Sequence, residues 1–240
     1  MSFHLTANNF QPIASIKNDN LIDIGVKAPG GWSAGKELIH LFMDNMGYVN
    51  FGEISLKGFS LPTVDTYFDN PADVSLAAML NEKKIDGYTV IGPENWGENN
   101  FCYFETSEIP ADLSKKTGET VIVASPLSLV SAILNSALVV PLAVEKLVNL
   151  GLNLDQLEWA WGTCPLATIG EQQDLVAKRK KAVLEYGGIA SIWLRSEDKL
   201  LQKITSNWEG LGEIRLHNLV SAKTFIGGRL DEEALKKNLL

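Results

Sequence analysis

Cysteine is almost missing from this chain: two thiols, Cys102 and Cys164, occur in 240 residues. So few sulfurs can build neither a disulfide framework nor a cysteine-based metal cluster, and a reducing compartment fits best. Histidine is equally scarce, and His4 and His40 belong to no constellation. No metal site is expected. Positive charge is also in short supply, with 21 Lys and Arg against 29 Asp and Glu, a net charge of -8 and a pI near 5.0. A nucleic-acid partner is therefore excluded, because neutralising phosphates takes clustered basic residues. The lone basic run, Lys178 to Lys181, reads as the solvated face of a helix. Long apolar runs are missing too. The stretch from Leu127 to Leu150 is interrupted by Ser128, Ser131, Asn135, Ser136, Pro141, Glu145 and Lys146, which a membrane span would not tolerate. The N-terminus has neither a basic head nor an apolar core, so no signal peptide is expected and the cytoplasm is the expected location.

What is present is ordinary globular usage, 45% hydrophobic and 21% charged, with helix-like and strand-like segments alternating irregularly. This predicts an α/β fold. A strand from Leu21 to Val26 leads through Pro29-Gly30-Gly31 into an amphipathic helix from Ser33 to Asn45. Strands are then expected at Tyr48 to Leu56, Leu61 to Phe68 and Val74 to Leu80, antiparallel because their connections are short. Segments Tyr88 to Ile91 and Phe101 to Thr106 flank a polar loop from Gly92 to Asn100 that carries Trp96.

The second half reads as βαβ-like. Strand Thr120 to Ala124, helix Leu127 to Leu150, strand Leu157 to Trp161, helix Glu171 to Tyr186 and strand Ile189 to Leu194 follow in order. Two strands, Glu213 to His217 and Lys223 to Ile226, precede a terminal helix capped by Asp231. Pro141 should kink or break the long helix, and Gly151 should end it. Trp159 and Trp161 alternate on one strand and so share a face, which core packing explains more readily than ring stacking on a ligand. Residues 1–110 form a β-rich lobe and 111–240 an α/β lobe, unless the two join as one unit.

Four stretches, in order, resemble the methenyltetrahydromethanopterin cyclohydrolase family. Asp23 to Gly35 is similar to that family's D-C-G-V-x-x-P-G-S-x-x-A-G, and Val123 to Val130 to its V-A-P-T-x-S-I-V-G. Gly162 to Leu166 is similar to G-R-C-P-I, and Lys223 to Leu230 to K-T-Y-x-x-G-K-L. The resemblance implies a two-lobed α/β fold with mixed sheets, a pterin-binding cleft between the lobes and a homotrimer. It implies a hydrolase that adds water to a carbon bridging two nitrogens of a reduced pterin, with no metal or redox cofactor. The family's members are longer, and their G-S-G-P-A-R loop is replaced here by Gly-Pro-Glu-Asn-Trp-Gly. In the family a helix carries G-R-I-V-E, whose Arg and Glu project toward the cleft. Here Leu138 and Pro141 occupy those places, and neither can move a proton. Thr163 replaces a further Arg.

Glu105, at the end of an apolar strand, matches a surviving acidic residue of the family and is the first candidate for a catalytic carboxylate. Asp65 is the candidate for a second, with Asp69 beyond Thr66-Tyr67-Phe68 as the alternative, since water addition and nitrogen release need general acid/base work. Gly30 and Ser33 lie in a turn entering a helix, where free N–H groups can hold an anion. Ser125 and Ser128 repeat that arrangement before the long helix, although capping explains them as well. Thr163 and Cys164 belong to the Gly-Thr-Cys-Pro stretch. A nucleophilic Cys164 would need His217 as its base, whereas the family match makes it a structural thiol. These residues, with His217, are the expected substrate contacts. Three functions remain open: a cyclohydrolase-like enzyme, a pterin-binding protein without catalysis, and a different reaction on another small molecule in the same cleft.

Overall fold

The computed structural model describes residues 15–18, 21–43, 46–72, 82–85, 88–91, 101–109 and 120–239. The expected strand Val74 to Leu80 and the loop Gly92 to Asn100 lie outside them. Twelve described strands form two six-stranded mixed sheets with helices packed between and beside them. The α/β expectation holds.

The first sheet runs in the order β1 (Ser15–Asn18), β2 (Leu21–Asp23), β8 (Thr120–Ala124), β7 (Phe101–Glu105), β6 (Tyr88–Ile91), β5 (Glu82–Ile85). Its centre is parallel: β2 pairs with β8, and β8 with β7. The second sheet runs β12 (Lys223–Gly227), β11 (Glu213–Asn218), β10 (Ile189–Leu194), β9 (Leu157–Pro165), β4 (Phe59–Phe68), β3 (Gly47–Leu56). Here β3 and β4 are a hairpin of two ten-residue strands turning at Gly58, whose φ of 83° suits a residue without Cβ. Each sheet draws strands from both sides of residue 110, so a cut there divides both.

Strand alternation shows where the cores lie. In β7 and β8, Phe101, Tyr103, Ile122 and Ala124 join the main core, while Cys102, Phe104, Val121 and Val123 form a smaller cluster on the opposite face. The main core is shared with Val64, Phe68, Ala160 and Ile192 of the second sheet and with helices α1 (Trp32–Met43), α2 (Leu129–Ala137) and α3 (Val139–Asn149). α1 and α2 therefore lie between side chains of both sheets, while α3 packs on β9 and β10.

The long apolar helix divides at Leu138, three residues before Pro141. Pro141 thereby falls in the first turn of α3, where a backbone N–H has no intrahelical partner to lose. Gly151, with φ of 99°, stops α3 as expected. α2 and α3 together are long and apolar enough to cross a membrane, but most of that surface is buried against the sheets. The βαβ reading of the second half needs correction. β8 and β9 lie in different sheets because the helix pair between them carries the chain from one sheet to the other, and β9 pairs antiparallel with β10. The parallel crossover in this half is β10 to β11, through helix α5 (Asp198–Ser206), which sequence periodicity did not reveal. Helix α4 (Gln173–Ala182) continues into a π turn, Val183–Gly187. Asp231 caps α6 (Glu232–Leu239) through Ala234 N–H at 2.9 Å.

Candidate functional site

The carboxyl ends of β2, β8 and β7 point the same way, and in open α/β sheets that edge is where ligands collect. Three sequence segments leave the sheet there. After β2, the buried Asp23 carboxylate accepts the N–H groups of Gly25 (3.1 Å), Val26 (2.8 Å), Lys27 (2.9 Å) and Ala28 (3.2 Å). This winds residues 24–28 around one side chain. Gly30 follows at φ 61°, pressed against the Ile24 carbonyl so that a Cβ would not fit.

After β8, Ser125 N–H bonds the Gly25 carbonyl at 3.2 Å, and Ser128 stands against Gly25. Gly30, Ser125 and Ser128 are thus brought together. Both hydroxyls serve the chain itself: Ser125 Oγ accepts from Leu127 N–H at 3.2 Å, and Ser128 donates to the Ser125 carbonyl at 2.6 Å while capping α2 through Ser131 N–H. Ser33 lies exposed in the first turn of α1.

After β7 comes Glu105, in register with Ala124 and next to the start of α2. Its Oε1 accepts from the Tyr103 hydroxyl at 3.3 Å and from the Ser131 hydroxyl, and Lys180 Nζ lies 3.5 Å away. Lys180 also donates to Ser131 Oγ. The Glu105 side chain is 33% exposed and that of Lys180 13%. Burial lowers the proton affinity of Lys180, opposed by the attraction of Glu105. Burial and the adjacent Glu105 charge push the Tyr103 phenol well above its ordinary range, so it stays a donor.

Lys180, Ser131 and Tyr103 were not singled out from the sequence. The basic run reads as a solvated face, yet Lys180 turns inward. The signal was available: Val176, Lys180, Val183 and Leu184 follow helical spacing, and the other three are buried.

Asp65 does not join Glu105. On β4 the side chains of Val64, Thr66 and Phe68 face the helices, so Asp65 occupies the opposite face of the second sheet. There it accepts from Thr163 Oγ at 2.5 Å and Thr63 Oγ at 3.1 Å. A second carboxylate for Glu105 therefore does not come from Asp65, because the sheet stands between them.

Cys164, the next residue of β9, points inward with no exposure and contacts the Val183 carbonyl at 3.4 Å. Burial pushes its thiol far above the ordinary range, which removes the thiolate a nucleophile needs. It packs rather than meets a ligand. His217 is no base for it. The imidazole stacks on Trp193 with ring centres 4.4 Å apart and bonds Thr224 Oγ through Nδ1 at 2.9 Å. Burial, then the Arg215 charge, lowers its pKa.

That outer face also corrects the reading of the tryptophans. Trp159 is 43% exposed and stacks on Trp193, and Trp161 lies beside Tyr67, around an open hollow of about 450 Å³. Among the described residues, no group of three His, Cys, Asp or Glu side chains is placed to hold a metal.

A family model described as Cyclohydrolase (MCH) matches residues 9–86 and 111–210. Proteins named methenyltetrahydromethanopterin cyclohydrolase align over most of the chain. The one from Methanospirillum hungatei is 26% identical over 220 residues, covering 78% of this chain and 70% of that protein. The one from Methanocaldococcus jannaschii is 26% identical over 213 residues, covering 74% and 66%. The one from Methanosarcina barkeri is 23% identical over 214 residues, covering 76% and 66%. The chain aligns with about two thirds of the length of these relatives.

Proposed function

The chain belongs to the cyclohydrolase (MCH) family, and from that premise we propose that it is a hydrolase opening a C–N bond of a one-carbon-bridged reduced pterin of the methenyltetrahydromethanopterin type. The observation that carries this reading is Glu105, a partly exposed carboxylate at the carboxyl edge of three parallel strands, with Oε1 held by neighbours. Glu105 lies in the interval 87–110 that the family model leaves unmatched, so its role rests on geometry and on the resemblance of its strand.

The chemistry asks for one group that takes a proton from water and later returns one to nitrogen. With a water beside Glu105, the carboxylate takes its proton while the oxygen adds to the amidinium carbon, giving a neutral adduct. The proton then passes to the leaving nitrogen as the C–N bond breaks, and the formyl oxygen releases a proton to solvent. The Asp23 loop and the start of α2 border the same edge and offer a wall for the ring. The homotrimer implied by the resemblance belongs to this reading, and light scattering would give about three times 26.3 kDa.

A second reading, a pterin binder without turnover, is favoured by Leu138 and the buried Pro141, which supply no proton-moving group. Mixing the protein with methenyltetrahydromethanopterin separates the two. Loss of the methenyl absorbance, slowed about 100-fold or more in Glu105→Gln, supports the hydrolase. Binding without absorbance change supports the binder, and neither binding nor turnover removes both.

A further inference from the structure

Glu105, Ser131 and Lys180 come from three separate elements, β7, α2 and α4, and meet in an unbroken line of hydrogen bonds. Ser131 has one hydroxyl hydrogen. It is given to Glu105 Oε1, so the oxygen accepts from Lys180, and the order of the line is fixed. Ser131 has no exposure, which keeps any substrate from its oxygen and rules it out as a nucleophile. Among the described residues, Glu105 is the carboxylate within ion-pair distance of Lys180, and Asn135 Nδ2 fixes the lysine backbone by donating to its carbonyl at 3.0 Å. Oε1 thus accepts two hydrogen bonds, from Tyr103 and Ser131, with Lys180 Nζ 3.5 Å away, while no partner for Oε2 is found among the described residues.

We propose that Lys180 exchanges a proton with Glu105 through the Ser131 hydroxyl, so that Glu105 alone meets the substrate and Ser131 and Lys180 are positioning residues behind it. In the donating direction the Nζ–H bond breaks as Ser131 Oγ takes that proton, and the Oγ–H bond breaks as Oε1 takes the other. Lys180 becomes a neutral amine and Glu105 a neutral acid, able to protonate a leaving nitrogen. Once that proton has gone to the nitrogen, Glu105 takes the proton shed by the formyl oxygen and the reverse transfer returns it to Lys180. Both charges are restored, the one net proton released to solvent is the one taken from water, and no further reactant is consumed.

The surroundings suit the exchange. β7 presents Glu105 and the un-ionised Tyr103, and α2 presents only the neutral Ser131 and Asn135. On α4 itself, Lys181 pairs with Glu185 at 3.3 Å, and Arg179 extends toward Gly170. Burial, working against Glu105, brings the amine form of Lys180 within easier reach than that of a surface lysine.

This relay deepens the hydrolase reading and rests on it for its purpose, but its first test needs no substrate. In the free protein, NMR of the lysine side chains should show one ε position titrating below the rest and absent from Lys180→Arg. In Glu105→Gln it should titrate lower still, because an opposing charge has gone. Titration together with the surface lysines, or indifference to Glu105→Gln, overturns the relay.

The second test is turnover. Arginine keeps the charge and a hydrogen bond but does not release its proton. Lys180→Arg should therefore keep the wild-type melting temperature, and it and Ser131→Ala should lose about tenfold or more in kcat with KM within about twofold. A Lys180→Arg protein with wild-type kcat and pH profile reduces Lys180 to a structural ion pair and overturns the proposal. Should the wild-type protein not turn over the pterin, the hydrolase reading fails separately, and the lysine titration still decides the relay.

Discussion

Thr163 donates its hydroxyl hydrogen to Asp65 Oδ1 across 2.5 Å, between residues paired directly in the β4–β9 ladder. Thr63 adds a second bond on the same oxygen. The carboxylate is occupied by its own sheet, on the face turned away from Glu105. Thr163→Val, which keeps the shape and removes the donor, should cost about 1 kcal/mol in urea unfolding. Asp65→Asn should keep pterin turnover within about threefold of wild type, in contrast to Glu105→Gln. A 100-fold loss in Asp65→Asn would move the chemistry to the outer face.

Asp23 organises the other border of the proposed site. Four consecutive donors converge on a carboxylate with no exposure. Asp23→Ala therefore leaves one buried N–H, that of Ala28, and three partly buried ones without their acceptor, and a buried N–H costs about 1–3 kcal/mol when unpaired. Local relaxation and water will recover part of the sum. A net loss of about 3 kcal/mol is expected from denaturant unfolding, with pterin affinity falling as well, because the loop that carries Gly30 loses its anchor. Wild-type stability in this variant would mean that the loop holds its shape by other means.

Strand β9 lies so close to α3 that a Cβ on Gly162 would stand 2.6 Å from Val139 Cγ1 and 2.6 Å from Val140 Cγ2. Gly162→Ala should therefore cost about 1–3 kcal/mol through overpacking, read as a lower urea midpoint with an unchanged slope. An unchanged midpoint would show that the helix can move aside freely.

Much of this arrangement was legible in the residues, for local reasons. The hairpin of β3 and β4, the cap at Asp231 and the stop at Gly151 depend on neighbours in sequence, and each is where propensity and turn chemistry place it. Glu105 stands out in the sequence through its match to the family's carboxylate and its place at the end of an apolar strand. What escaped depends on partners distant in the chain. Lys180 meets Glu105 across 75 positions and Ser131 across 49, and its charge disguised a place on the inner stripe of α4. The outward aspect of Trp159 escaped because period-2 alternation tells which residues share a face, not which face is covered. The interleaving of the two sheets was hidden for the same reason: helical periodicity in α2 and α3 does not tell whether a helix returns to its own sheet or crosses to another.

Both thiols are buried, and the Cys164 thiol is held protonated far above neutral pH. Native protein should therefore give no fast reaction with Ellman's reagent at pH 8 and two equivalents in guanidinium. Pterin binding should be unchanged after prolonged exposure to iodoacetamide under native conditions. A rapid native equivalent, lost in Cys164→Ala, would contradict the burial of that side chain and reopen its chemistry.

Asp198, at the start of α5, ties that helix to the turn between β11 and β12. Its carboxylate accepts from Lys223 Nζ at 2.7 Å, Ser221 Oγ at 2.6 Å and Asn218 Nδ2 at 2.8 Å. The Lys223 bond, then the Ser221 bond, lower its pKa to about 2, against about 3.9 in an unfolded chain. A folded value below the unfolded one means that the unfolded chain binds the proton first. The contribution to stability is then complete above about pH 4 and disappears as pH falls from there toward 2. Melting temperatures measured from pH 6 to pH 2.5 should fall less steeply in Asp198→Asn than in wild type over the acid part of that range. Lys223→Met should lie between the two, since Ser221 and Asn218 still donate. Parallel curves for wild type and Asp198→Asn below pH 4 would show that solvent screens this exposed cluster completely and that the turn is held by its backbone alone.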